Sequence, residues 1–251
     1  MLGYYNHILI LYSLSALAYG TQIVLTKTNA RFGDQAEERR RSVASLVPVI
    51  AAKLLMFVLA LPVVRTVILS PESWDSAHVA RAHLCGHVLM IVYLFDMTYR
   101  KVNVVIWMHH TASISVALFL VLTTRPDVPH IARIWLAVPM VFVGVGVGLT
   151  DLGGDVAVLL YYLAPRNLSS AAAIRLCAQY LMVGRAFQWA VMLVFLVQGH
   201  WVQLGLGVWP GVAVFMGLGA AELEEIYAIL GMSDKLRMRV LDGKNSEAIK
   251  S

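Results

Sequence analysis

Charge is scarce in this chain: Asp, Glu, Lys and Arg make up 14% of its 251 residues, against about a quarter in an ordinary soluble domain. So little charge excludes a solvated surface over most of the sequence. The 59% of residues that are hydrophobic recur in runs near the ~20 residues a helix needs to cross a bilayer. Cysteine is scarcer still. Cys85 and Cys177 both lie in apolar segments, which gives no basis for a disulfide framework. No basic stretch precedes the first apolar run, Met1 to Thr26, so it reads as an uncleaved span, although Ala18-Tyr19-Gly20 has the small residues of a cleavage site. Internal repeats and low-complexity stretches are missing, and the length leaves no sizeable soluble module. The net charge of +5 sits in loops and tail, as membrane topology alone requires, so nucleic acid is not an expected partner. The fold class that remains is all-α, a polytopic integral membrane helical bundle.

Hydropathy predicts seven spans, at roughly 6–26, 43–69, 79–98, 103–123, 131–151, 174–198 and 203–230. Lys27, Arg31 and Arg39-Arg40-Arg41 fall in the first loop, Arg100 and Lys101 in the third, Arg166 in the fifth, and Lys235, Arg237, Arg239, Lys244 and Lys250 in the tail. Loops two, four and six are poorer, and the sixth, Gly199 to Val202, has neither Lys nor Arg. By the positive-inside rule the odd loops and the C-terminus are cytoplasmic and the N-terminus is lumenal or external. The chain then divides into residues 1–42, a first transmembrane helix and basic loop; 43–230, the transmembrane domain; and 231–251, a basic cytoplasmic tail. A single helix from Ile131 to Leu163 would be ~50 Å long, too long for the bilayer. A break at Gly153-Gly154 followed by an interfacial segment resolves this. The run Gly144-Val145-Gly146-Val147-Gly148 follows no strand, so it is not a nucleotide loop; Gly144 and Gly148 permit close helix packing.

Within this apolar setting one stretch stands out: Tyr93-Leu94-Phe95-Asp96, the turn at Arg100-Lys101, then His109-His110. Charged or imidazole groups in hydrocarbon cost several kcal/mol on most scales unless they face a protein-lined cavity. Counted from the turn at the helical rise, Asp96 lies ~6 Å and the histidines ~10 Å below one membrane surface. A carboxylate at that depth can fix an imidazole tautomer and raise its basicity, as general-base or nucleophilic work requires. The plainer alternative pairs Asp96 with Arg100 at i+4 and leaves the histidines bonded to neighbouring helices. Ser113 lies one turn on, between the two histidines.

Asp151, Glu222 and Glu225 reach the same level, with Asp155 at the interface. Lys53 and Arg185 lie too deep to snorkel, so each meets an acid inside the bundle or touches a ligand directly. His83 and His87, at i,i+4, have a metal-chelating spacing and with His109 and His110 form a conceivable four-histidine set. They lie ~16–22 Å from the basic turn, deeper than the pair, and no metal is assigned. His7, His78, His130 and His200 sit near helix ends and read as ordinary interfacial residues.

On Tyr93-Leu94-Phe95-Asp96, the basic turn, His109-His110, Asp151 and Arg185, the chain resembles the TLC-domain family of membrane proteins, which includes ceramide synthases, translocon-associated TRAM proteins and smaller lipid regulators. The resemblance covers roughly residues 43–230. It implies a helical bundle around a cytoplasm-facing cavity, in the endoplasmic reticulum membrane. His109 and His110 would then be catalytic, with Asp96 orienting them. From their depth and polarity, Asp151, Arg185, Glu222, Glu225, Lys53 and Ser113 are the candidate substrate-binding positions. Ser113 stands where the ceramide-synthase pattern has threonine, and Thr150-Asp151 where it has a His-Asp pair.

Three functions compete. The first is an acyltransferase-like enzyme acting on a long-chain lipid or amphiphile, with no resident cofactor and acyl-CoA as co-substrate. The second is a non-catalytic TLC-type lipid-binding regulator of membrane composition or cargo export. The third, a metal-dependent membrane hydrolase, needs histidines near the last span, and that span has none.

Overall fold

The computed structural model describes residues 4–102, 104–125, 140–197 and 223–242. No strand occurs among them. In chain order they form α1 (Tyr4–Thr28), the single turn α2 (Ala30–Gly33), α3 (Glu37–Leu69), a 3-10 turn (Pro71–Ser73), α4 (Ser76–Tyr99), α5 (Val104–Thr123), a π-helical segment (Phe142–Thr150), α6 (Leu152–Leu163), α7 (Leu168–Val197) and α8 (223–242). Among the described residues, four helices are long and apolar enough to cross a membrane: Asn6–Thr28, Glu37–Leu69, Ser76–Tyr99 and Val143–Leu163. The described residues are all-helical, and their long apolar helices are those of a membrane protein. Large apolar side chains such as Leu9, Val58, Phe119 and Val183 point outward, where lipid rather than water is the matching solvent.

Four spans among the described residues are fewer than the seven read from hydropathy, although α5 and α7 also form as long helices over the expected stretches. Residues 131–139 and 203–222, with His130, His200 and Glu222, lie outside the described residues. Two boundaries differ from expectation. Arg39-Arg40-Arg41 belongs to the start of α3 rather than to a loop, and residues 231–242 continue α8 rather than beginning a free tail. Apolar positions at helical spacing explain the second: Ile226, Ile229 and Leu236 are buried against Ala157, Ala171, Ile174 and Leu181, and Ser233 Oγ donates to the Ala171 carbonyl at 2.9 Å.

The expected break at Gly153-Gly154 is not there. Both glycines lie inside α6, and the change of register occurs earlier, in the π-helical segment. There the Asp151 N–H bonds five residues back to the Gly146 carbonyl at 2.9 Å, and Thr150 Oγ1 donates to the Val145 carbonyl at 3.0 Å. Such a turn absorbs an extra residue without leaving backbone groups unpaired in hydrocarbon. Glycine is required here by contact. A Cβ on Gly148 would stand 2.9 Å from the Phe57 backbone nitrogen of α3, and one on Gly153 would stand 3.0 Å from the Cys177 carbonyl of α7. The π-segment thereby lies hard against α3, as the spacing of Gly144 and Gly148 predicts, and α6 against α7.

The first helices are tied to α6 across the sequence. Asn29 caps α2, its side chain accepting from the Phe32 N–H at 3.1 Å. Phe32 is fully buried with Val43 and Ala44. Beside it Arg31 donates to the carbonyls of Ala164 at 2.5 Å and Tyr161 at 2.7 Å, while the Asn29 amide donates to that of Leu163 at 3.1 Å. These carbonyls belong to the last turn of α6, which has no intrahelical donors to offer them.

Candidate functional site

α4 and α5 are joined by a short basic turn, so the last turns of one stand beside the first turns of the other. Apolar residues around Asp96 hold it inside: Tyr93 and Phe95 are buried, and Asp96 itself is 3% exposed. The depth match inferred from helical rise becomes a contact. Asp96 Oδ2 lies 2.7 Å from His110 Nε2 and accepts from Arg100 at 2.5 Å. One oxygen atom thus makes both contacts: it holds the imidazole, and it pairs with the arginine four residues on.

Ring packing fixes the imidazole. Tyr93 stacks on His110 with centroids 4.3 Å apart and planes at 19°. His109 meets both rings edge-on, 6.1 Å from Tyr93 and 5.6 Å from His110. Because a carboxylate can only accept, Nε2 of His110 is the donor, which leaves the lone pair on Nδ1. That Nδ1 is buried and has no hydrogen-bond partner among the described residues, as is also true of Asp96 Oδ1. Ser113 is buried one turn further along α5.

A second polar layer is formed by Asp151, Arg185, Lys53 and Asp155. Arg185 of α7 pairs with Asp151 at the start of α6 and donates to Gln188 Oε1 at 2.9 Å. Lys53 of α3 pairs with Asp155 at 2.6 Å. Both deep cations therefore meet acids. Asp155, expected at the interface, is drawn inside by that lysine. Glu225 of α8 lies against Gly154, where any Cβ would overlap its carboxylate. Glu222 lies outside the described residues.

The four-histidine set does not assemble. His83 Nε2 bonds to the Thr124 carbonyl at 3.0 Å, and His87 Nδ1 to the His83 carbonyl at 2.6 Å. The His87 ring stacks on His7 of α1 at 4.9 Å. Both lie about 14–20 Å along α4 from Asp96 at 1.5 Å per residue. Among the described residues no three His, Cys, Asp or Glu side chains are grouped to hold a metal ion.

Three members of this arrangement had not been singled out for a role in the sequence: Tyr93, Asp155 and Gln188. Tyr93 stands three residues before Asp96 and Gln188 three after Arg185, so helical spacing places each on the face of a residue already marked. An open groove on the molecule runs along α1, lined by Ser13, Ala16, Leu17, Gly20, Thr21 and Val24, not on the helices carrying the histidine pair. Comparison with protein-family models, curated proteins and solved structures finds no match to the chain.

Proposed function

We propose that the protein is a multi-pass lipid-modifying enzyme of TLC type that transfers an acyl group to a long-chain amphiphile, with His110 as general base. The observation that supports this reading is the Asp96–His110 hydrogen bond inside the bundle, which leaves the lone pair of Nδ1 without a partner. His110 Nδ1 would take the proton from the acceptor's O–H or N–H as that atom adds to the thioester carbonyl of acyl-CoA. The C–S bond then breaks, and the imidazolium returns its proton to the departing thiolate. Asp96 stabilises the imidazolium between these steps, the role a buried carboxylate plays beside a catalytic imidazole. His109 and Ser113 border the reacting groups. The Arg185–Asp151 and Lys53–Asp155 pairs, with Glu225, form a fixed floor that orients substrate. The topology that goes with this function has seven spans in the endoplasmic reticulum membrane and a cytoplasmic C-terminus.

The test is acyl transfer from radiolabelled acyl-CoA to long-chain alcohols and amines in membranes carrying the wild type or a His109→Ala/His110→Ala double variant. Lipid profiles of a deletion strain complemented with either form run alongside. Acyl transfer by the wild type alone supports the enzyme. No transfer by folded wild type, with an altered lipid profile in the strain, supports instead a non-catalytic lipid-binding regulator. That second reading draws on the Arg100–Asp96 bond, since a carboxylate already neutralised by an arginine needs no catalytic purpose.

A further inference from the structure

At the opposite end of α4 a separate set of side chains has an arrangement that the acyl-transfer site does not use. His78 stands 18 residues before Asp96, roughly 27 Å along the helix. Asp75 caps the helix, its Oδ1 accepting from the backbone N–H groups of Ala77 at 2.9 Å and His78 at 3.0 Å. The same oxygen lies 2.7 Å from His78 Nδ1. On the other side of the ring, His78 Nε2 lies 2.8 Å from Thr66 Oγ1 in the last turn of α3.

A helix cap needs only the two backbone bonds. The ring and hydroxyl contacts are additional, and the hydroxyl is the telling one. Several helical hydroxyls, Thr26, Thr98 and Thr111 among them, donate to the carbonyl four residues back. Thr66 is turned to an imidazole nitrogen instead. The Asp75 oxygen already accepts two backbone N–H groups, and a carboxylate can only accept, so the ring nitrogen beside it, Nδ1, is the donor. Nε2 is then the lone-pair nitrogen facing Thr66. The Trp74 ring lies against the imidazole at 5.9 Å and 23°, and the Trp74 indole N–H is anchored on the Arg125 carbonyl at 3.2 Å. Next to Thr66, the exposed side chains of Ile68 and Leu69 offer an apolar surface at the end of a span.

We propose that Thr66, His78 and Asp75 form a second reactive centre, in which Thr66 Oγ1 is a nucleophile toward carboxylic esters of amphiphiles lying at this membrane face. The atom-by-atom order, carboxylate to Nδ1 and Nε2 to hydroxyl, is that of a Ser-His-Asp triad, which is recognised by geometry and not by fold. His78 Nε2 takes the hydroxyl proton as Oγ1 bonds to the ester carbonyl carbon. The bond to the alcohol oxygen breaks, and that oxygen receives the proton, leaving Thr66 acylated. Water, deprotonated by the same nitrogen, then adds to the acyl-threonine. The carboxylic acid departs, and Thr66 recovers its proton. Asp75 acts through His78 and is a positioning residue.

The experiment uses full-length protein in detergent micelles with p-nitrophenyl octanoate as probe, and mass spectrometry of acid-quenched samples. The expected result is turnover above the micelle background and an octanoyl group on the Thr66 peptide. Thr66→Val and His78→Gln should each lose about 10²-fold or more, while Thr66→Ser retains turnover. Asp75→Asn keeps a competent cap and should lower kcat at least tenfold with KM unchanged, a split that a merely structural role would not produce. Wild-type turnover equal to that of Thr66→Val, with no octanoyl group on Thr66, overturns the proposal. So does turnover that survives Thr66→Val and disappears in His110→Ala, which would place the chemistry at the other end of the bundle.

Discussion

Asp96→Asn separates the two functions that one carboxylate oxygen combines. Asparagine nearly matches aspartate in size, so the packing of Tyr93 and Phe95 around it should survive. It removes the charge that stabilises a protonated His110 and balances Arg100. If His110 is the base, the loss of its partner should lower turnover by about 10²–10⁴-fold, or about 2.7–5.5 kcal/mol of transition-state stabilisation. The stability effect should be smaller. Breaking a buried pair costs about 3–5 kcal/mol, but the Arg100 side chain is 24% exposed and can turn toward water. The cost should therefore fall toward the ~1 kcal/mol of exposed pairs. Arg100→Gln removes only the second interaction and leaves the Asp96–His110 bond in place. The assay is acyl transfer per folded molecule, with folded protein counted from the monodisperse chromatographic peak and stability taken from thermal unfolding in micelles. His110→Ala should lose at least as much as Asp96→Asn, and the double variant little more, because groups acting as one unit are not additive. If Arg100→Gln and Asp96→Asn destabilise equally while turnover per folded molecule stays normal in both, Asp96 is a helix-end ion pair and the catalytic reasoning is wrong.

Other outcomes follow from the fold. Lys53→Met should destabilise the bundle by about 3–5 kcal/mol by stranding Asp155. The Lys53→Met/Asp155→Leu pair should recover most of it, as a double-mutant cycle in unfolding would show; a double variant as unstable as the sum of the singles would deny the pairing. Gly148→Ala puts a methyl group 2.9 Å from a backbone nitrogen of α3 and should cost about 1–3 kcal/mol, read as a lower unfolding temperature. From the charge asymmetry of the loops, a reporter fused after Ser251 should be cytoplasmic and one before Met1 lumenal or external; both on one side would mean the spans are miscounted around residues 151–173.

The sequence carried the parts of this structure that depend on length and on short-range spacing. α1, α4 and α5 occupy nearly the stretches that hydropathy assigns, because a bilayer sets a length and a helix a fixed rise. The same rise brought Asp96 and His110 to one level from opposite sides of a turn only a few residues long. It could not name partners that are remote in the chain. That Lys53 and Arg185 need counter-charges is dictated by hydrocarbon, but Asp155 is 102 residues from Lys53 and Asp151 is 34 from Arg185, and nothing local selects them. The π-turn was illegible for a different reason: its glycines have the same spacing as a plain packing face, and one extra backbone residue leaves no mark on apolar periodicity. Gly153-Gly154 reads as a breaker wherever no neighbouring helix is known to press on it. His78 was set aside as a helix-end residue because its hydroxyl partner belongs to the previous helix.

The long separation of Lys53 from Asp155 also sets a schedule for the protein's birth. α3 is made first and enters the bilayer carrying an ammonium whose counter-ion does not yet exist. At ~5–20 residues per second, the 102 residues between them take roughly 5–20 s to synthesise. During that interval the Lys53 ammonium carries an uncompensated cost of about 2.5–3.5 kcal/mol on insertion scales, which the arrival of Asp155 on α6 offsets. A chain truncated before Asp155 should therefore leave α3 poorly inserted and open to quality-control proteases, so the ion pair would also report that synthesis has passed the middle of the bundle.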